Sequence, residues 1–226
     1  NCSRAGVLLC RRVSPAIPGQ ESRGILWSWW NRGGISTRVT SRVTVSESHQ
    51  SIVKFWFSDK VRPLWFQSTV EFDDEIRERF ESVWQQAATG KLDSWAETPE
   101  GALALVIILD QLPLNMYRGD PMCFSTEVKS RDIARSAIEQ NFDTELSGEQ
   151  KAFLYMPFMH SESMQDQDKS VALYEAAGLE HNLKFAHHHR DIIRRFGRFP
   201  HRNNILGRAS TEAELAYLQS EEAFHG

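Results

Sequence analysis

The sequence predicts an all-α protein in which about seven or eight helices stack as antiparallel pairs. After residue 50, apolar residues recur at three- and four-residue spacing in almost every segment, which is the period of an amphipathic helix. Capping residues and helix-ending glycines or prolines bound these segments, and the connections between them are short. Alternating strand patterns and Asn-Gly hairpin signals are absent from the sequence.

Two helices are predicted before residue 90. Ser51 is a candidate N-cap for a short apolar segment, and a proline-containing connection over residues 59–68 follows it. Residues 73–88 carry apolar side chains at helical spacing opposite a charged face, and Gly90 ends this helix.

The most apolar helix of the chain begins at Thr98 and Pro99, a cap followed by proline at the first helical position. It runs through Leu109 and is apolar nearly all round, so we expect it to be the central buried helix. A short buried strand is the competing interpretation, but every neighbouring segment is helical in pattern. Pro113 is predicted to end the helix, because proline disfavours helical geometry in the residue before it.

Two helices are predicted between residues 124 and 157. The first covers residues 124–140 and stops at Asn141; the second begins at the cap Ser147 and is broken by Pro157. The predicted inner face of the first consists of Val128, Ile133, Ala134, Ala137 and Ile138.

Three helices complete the predicted domain, which covers residues 49–226. Residues 162–177 and 180–196 form two of them, each closed by a glycine. Thr211 and Glu214 form a capping box that starts the last one. Its predicted inward residues are Leu215 and Leu218.

The first 48 residues differ from the rest of the chain. They carry seven arginines, no lysine and a single acid before Glu47, a composition typical of organelle transit peptides. An upstream extension outside the fold is the alternative. The predicted location is therefore the cytoplasm, or a mitochondrion or other organelle if this leader is a transit peptide.

Composition excludes several functional classes. A net charge of -4 argues against a nucleic-acid-binding domain, and the longest apolar run, residues 102–109, is too short to span a bilayer. The three cysteines are widely spaced and form no ligand set, and the sequence contains no HExxH motif. We therefore predict no metal, no cofactor, no nucleic-acid partner and no membrane partner. The oligomeric state is left open.

The segment from His187 to Arg208 holds six arginines against one acid, Asp191. It ends in a loop broken by Gly197 and Pro200, and binding groups concentrate on such loops. Because guanidinium groups match carboxylate and phosphate, the segment predicts a site for a small anionic molecule or a peptide or protein carboxylate. The alternative is that these arginines pair with helix-end acids in a structural network.

Candidate binding residues gather at helix ends. Asp110 ends a fully apolar helix, where an unpaired carboxylate is costly. Arg118 either ties this end down structurally or also contacts ligand. The complete candidate binding set is Asp110, Gln111, Asn115, Arg118, Arg195, Arg198, His201, Arg202 and Asn203.

Two histidine–carboxylate pairs are candidates for acid/base chemistry. His160 and Glu162 lie two residues apart at a helix start, where Glu162 also suits a cap. Asp191 could orient a histidine of the preceding turn. His189 shares a helix face with apolar residues and is more readily a core histidine. The candidate catalytic set is His160, Glu162, His189 and Asp191.

Long motifs identify residues 51–220 as similar to a known family. They include FWF at 55–57, LALVIILDQLPLN at 103–115, YRGDP at 117–121, FLYMPFMHSES at 153–163, HxDIIxRFGRFPHRN from His189 through Asn203, and LGRxSTxxE from Leu206 through Glu214. The chain resembles the family known as domain of unknown function 924. The resemblance implies a tetratricopeptide-like helical fold and brings no established activity, substrate or cofactor. Family members usually have phenylalanine and arginine where this chain has Leu112 and Leu114, so a ligand that used that arginine would bind differently here.

Three functional hypotheses follow. The leading one is a helical-scaffold protein that binds a small anionic ligand or a peptide carboxylate in a pocket lined by arginine and histidine. The second is a hydrolase of phosphate or acyl compounds in which His160 or His189 is the acid/base and arginines stabilise negative charge. The third is a protein-interaction scaffold without a pocket.

Overall fold

The computed structural model describes residues 47–224, and the only regular secondary structure in this part of the chain is helical, without a strand. The predicted all-α class is confirmed. The helices are α1 His49–Trp56, α2 Val70–Ala88, α3 Pro99–Val106, α4 Leu112–Met116, α5 Glu127–Glu139, α6 Gly148–Met159, α7 Met164–Ala176, α8 Glu180–Phe196 and α9 Glu212–Leu218.

The predicted leader lies outside the described residues except for its last two. Ser48 caps α1 in a capping box with Ser51, so Ser51 is the third helical residue and not the cap. Glu47 accepts a hydrogen bond from Arg79 Nε at 2.7 Å. The folded part therefore includes Glu47 and Ser48.

A π-helical turn, Ile107–Gln111, joins α3 to α4 in one continuous helical segment, Pro99–Met116, which we call the α3 rod. Counted in this way, the described residues hold eight helices, within the predicted number. The prediction that Pro113 ends the helix is wrong. Proline supplies no N–H to the carbonyl four residues earlier, but that carbonyl, Leu109 O, accepts the Thr126 hydroxyl at 2.6 Å.

The α3 rod forms the centre of the main core, as its apolar sequence predicts. All its residues from Gly101 to Pro113 are buried, and α1, α2, α5 and α6 pack around it. Large side chains such as Trp56, Phe80 and Phe153 fill the surrounding layer. A smaller apolar cluster lies at the C-terminal end and consists of Ile192, Ile193, Phe199 and Tyr217.

Pro157 lies inside α6 and does not break it. Seven other residues of α6 are buried, and tertiary packing of this kind outweighs the local penalty of proline. Two further predictions on inner faces are wrong, since Val128 and Leu215 are exposed. On α5 the reason is electrostatic: the charged Glu127 and Arg131 point inward to ion-pair partners, which turns Val128 to the surface.

Candidate functional site

Four ionisable side chains from four separate segments meet beside the α3 rod. Asp110 comes from the π-helical turn, Glu127 from the first turn of α5, His160 from the end of α6 and Arg202 from the 3-10 turn Pro200–Arg202. We refer to these four residues as the charged centre. Departures from regular α-helix such as π turns are frequent at functional sites.

Asp110 holds His160 in a fixed orientation. The Asp110 side chain is fully buried, and its Oδ2 lies 2.9 Å from His160 Nδ1. Gln111 donates its side-chain amide to the same oxygen at 2.6 Å. Because Nδ1 is occupied, the imidazole presents Nε2 to any further partner. The expectation that Arg118 ties down Asp110 is wrong, because Arg118 forms an ion pair with Asp73.

Glu127 and Arg202 form the second pair of the charged centre. Each oxygen of Glu127 lies 3.1 Å from a terminal nitrogen of the guanidinium. The guanidinium also lies over the rings of Phe124 and Phe199, 4.4 and 4.7 Å from their centroids. Both side chains are largely buried, so their charges are held by each other and by the aromatic faces.

Burial and mutual charge set the protonation of the centre. Burial alone would lower the pKa of His160, but the neighbouring Asp110 carboxylate and, more weakly, Glu127 raise it above its ordinary value. Burial raises the pKa of Glu127, and the charges of Arg202 and His160 offset only part of that rise. The arrangement therefore favours a protonated imidazole beside the Asp110 carboxylate.

Within residues 47–224, three buried atoms of the centre have no hydrogen-bond partner: Asp110 Oδ1, Glu127 Oε1 and Arg202 Nε. Glu127 Oε1 still has an ion-pair contact of 3.1 Å with Arg202, which leaves Asp110 Oδ1 and Arg202 Nε as the two atoms without a partner. Buried polar atoms are nearly always hydrogen-bonded, and those that are not indicate a water, an ion or a ligand. The centre thus offers one acceptor and one donor to a small polar molecule.

The other predicted acid/base residues are not assembled into a site. His189 is buried, its Nδ1 bonds the Phe185 carbonyl at 2.8 Å, and burial lowers its pKa to about 3. It is a neutral core histidine. Asp191 is exposed and pairs with Arg194 at 2.8 Å, so the structure does not bring Asp191 and His189 together.

Most predicted binding arginines pair with acids. Arg118 binds Asp73, at 2.7 Å from Nε to Oδ2, on the protein surface. Arg198 binds Glu214 through two contacts of 2.6 and 2.8 Å and also donates to the Ala209 carbonyl. At these two positions the arginines form structural ion pairs with acids, as the alternative hypothesis in the sequence analysis expects.

Glu162 belongs to the same network and does not contact His160. Its oxygens accept two hydrogen bonds from Arg208, at 2.8 and 3.0 Å, and one from the Phe199 N–H at 2.8 Å. These bonds lower the pKa of Glu162 despite its partial burial. Glu162 thereby fixes the loop that carries Arg202.

The remaining predicted binding residues lie in three places. Asn115 donates to Ser68 and Asp73 beside Arg118. His201 packs against aromatic rings, and Asn203 donates to Ser210 at 3.0 Å. Arg195 lies over the rings of Phe196 and Tyr217, away from the charged centre.

Sequence reasoning missed Glu127, Arg131 and Arg135, which follow one another every four residues on α5. Arg131 and Arg135 contact the buried Asp166 carboxylate at 3.0 and 3.2 Å. Ser161, the residue after His160, donates its hydroxyl to the same carboxylate at 2.7 Å. The four-residue spacing of charges on a half-buried helix was the available signal.

The comparisons with known proteins agree with this architecture. A family described as "Bacterial protein of unknown function (DUF924)" matches residues 52–222. The chain belongs to this family. The solved structure of a protein of unknown function from Agrobacterium tumefaciens is 38% identical, with a TM-score of 0.72, over 76% of this chain and 96% of that one. None of the curated proteins matches the chain.

Among residues 47–224, no three histidine, cysteine or acidic side chains are grouped so that they could hold a metal ion. In the same range, no helix combines the length and apolarity needed to cross a bilayer.

Proposed function

We propose that this DUF924 protein is a helical scaffold that binds a small anionic ligand at the charged centre. The observation that carries the proposal is the buried Arg202 Nε, a cationic donor without a partner within residues 47–224. An anionic oxygen is the acceptor that such a donor binds most strongly. His160 supplies a second donor through Nε2, because Nδ1 is engaged by Asp110.

The charge around the centre favours an anion. The Asp166 cluster, in which Arg131, Arg135 and Ser161 contact the Asp166 carboxylate, adjoins the centre, since Ser161 follows His160 in the chain. Together, with His160 protonated, the two clusters hold four cationic groups against three carboxylates. A singly charged ligand would balance this surplus in a region of low dielectric, where unbalanced charge is costly.

The unpartnered acceptor, Asp110 Oδ1, narrows the chemical class of the ligand. Asp110 Oδ1 requires a donor, so a ligand that carries a hydroxyl or amino group beside its anionic group would satisfy both orphan atoms. Small hydroxycarboxylates fit this description and carry the single negative charge that balances the surplus. Access is expected at the His160 imidazole, which is 17% exposed.

The test is the unfolding temperature of the full chain with a panel of such anions. A ligand at roughly a hundredfold above its Kd adds about 2.7 kcal/mol of stability. Arg202→Lys keeps a cation beside Glu127 but removes Nε, and should abolish the shift. Arg198→Lys makes the same change at Glu214, outside the centre, and should leave the shift intact. The proposal is contradicted if no anion of the panel raises the unfolding temperature, or if the increase persists in Arg202→Lys.

One observation favours a second candidate, a hydrolase of phosphate or acyl compounds. A carboxylate-oriented imidazole with a raised pKa is suited to donate a proton to a leaving group. Turnover of phosphate and acyl esters that is lost in His160→Gln and kept in His181→Gln would support it. Ligand binding without turnover would exclude the hydrolase and support the binding function only.

A further inference from the structure

A groove of about 730 Å³ runs along α8 and α9 and is separate from the charged centre. Its volume is within the range of ligand-binding sites. One wall is aromatic and partly exposed, and Phe185 at its edge is 45% exposed. The apolar lining consists of Phe185, Ile192, Phe196, Tyr217 and Phe224.

Two adjacent arginines line this groove and differ in their partners. Arg194 is held by Asp191 at 2.8 Å. The guanidinium carbon of Arg195 lies 4.9 and 5.6 Å from the ring centroids of Phe196 and Tyr217, and Arg195 has no ion pair within residues 47–224. A guanidinium that packs on aromatic rings without an acidic partner can still donate to a planar bidentate acceptor such as a carboxylate.

Three acids line the groove as well: Asp191, which is paired with Arg194, and Glu221 and Glu222 on the segment after α9. They disfavour polyanions and strongly charged phosphates. A peptide end satisfies both features, because its carboxylate is one negative charge and its backbone N–H groups are donors for the acids. The apolar wall additionally suits an apolar side chain on the last residue.

We infer that this groove binds the C-terminal residue of a peptide or protein, with its carboxylate at Arg195 and its apolar side chain against Phe185 and Phe196. The partner is thus a chain that ends in an aromatic or aliphatic residue. This binding site is independent of the anion site at the charged centre.

Fluorescence anisotropy with labelled short peptides that end in Phe, Leu, Gly or Asp tests the inference on the full chain. Each peptide is compared as the free acid and as the C-terminal amide. We expect the free acids ending in Phe or Leu to bind about tenfold or more tightly than their amides, which is the effect of one charge-assisted pair. Equal binding of acid and amide, or no binding by any free acid, overturns the inference.

The variants assign the carboxylate to one arginine. Arg195→Gln should remove the difference between acid and amide, whereas Arg194→Gln, the adjacent groove residue, should keep it. Arg190→Gln should also keep it, because Arg190 lies on the same helix outside the groove and pairs with Asp168. If Arg194→Gln loses as much affinity as Arg195→Gln, only the general charge of the groove matters and the proposed geometry is wrong.

Discussion

Replacement of Asp110 by alanine should be among the most destabilising changes in the protein. Its carboxylate is fully buried and accepts bonds from His160 Nδ1 at 2.9 Å and Gln111 Nε2 at 2.6 Å. Hydrogen bonds to a charged group contribute about 1.5–3 kcal/mol each, so the two together amount to about 3–6 kcal/mol. The loss of one partner of a buried ion pair gives a similar figure, about 3–5 kcal/mol.

Denaturant unfolding of the full chain measures this loss. The matched control is Asp59→Ala, which removes a fully exposed acid paired with Arg62 and should change stability little, because solvent screens an exposed pair. Asp110→Asn keeps the side-chain volume but should still show most of the destabilisation of Asp110→Ala, because an uncharged amide cannot balance the charge of a buried imidazolium. A cost for Asp110→Ala no larger than that of the control would refute the buried-pair reasoning.

Three further predictions concern individual ion pairs and hydrogen bonds, inside and outside the charged centre. The stability lost in His160→Gln should be greatest below about pH 6.5 and should fade as the pH rises through the raised pKa of His160, as urea unfolding at several pH values would show. The bonds from Arg198 lower the pKa of Glu214 to about 2, so the stability lost in Glu214→Gln should be present above about pH 4.5 and disappear as the pH falls toward 2. Thr126→Val should cost about 1–3 kcal/mol in thermal unfolding, because it leaves the buried Leu109 carbonyl without a donor; Thr144→Val, at an exposed hydroxyl, is the control.

Local signals were sufficient for much of the fold. The bounds of α8 follow from its apolar period and from Gly197, whose φ of 70° is the left-handed conformation that glycine adopts easily. The Thr211–Glu214 capping box forms as predicted. The helix was wrongly predicted to end at Pro113. The Thr126 hydroxyl replaces the missing proline N–H as donor to the Leu109 carbonyl, and it lies 17 residues away in the sequence, so no local pattern indicates it.

The candidate site was harder to predict because its pairs are distant in sequence. A carboxylate at the end of an apolar helix correctly marked Asp110 as a buried group with a partner, but the spacing favoured Arg118 over His160. Arg202 and Glu127 are 75 residues apart, and Glu127 resembles an ordinary acid in the first turn of a helix. Only the packing of α5 and α6 against the α3 rod brings these groups together.

NMR spectra of the arginine Nε–H groups test the central claim most directly. The full chain is titrated with the anion that stabilises it best, and the Nε–H resonances of Arg202 and Arg198 are followed. We predict a saturable shift of the Arg202 Nε–H, together with the His160 ring, and no shift for Arg198, whose Nε is bonded to Glu214 at 2.6 Å. An Arg202 Nε–H that is unchanged at saturating anion, with the anion bound elsewhere, would contradict the assignment of the ligand to the charged centre.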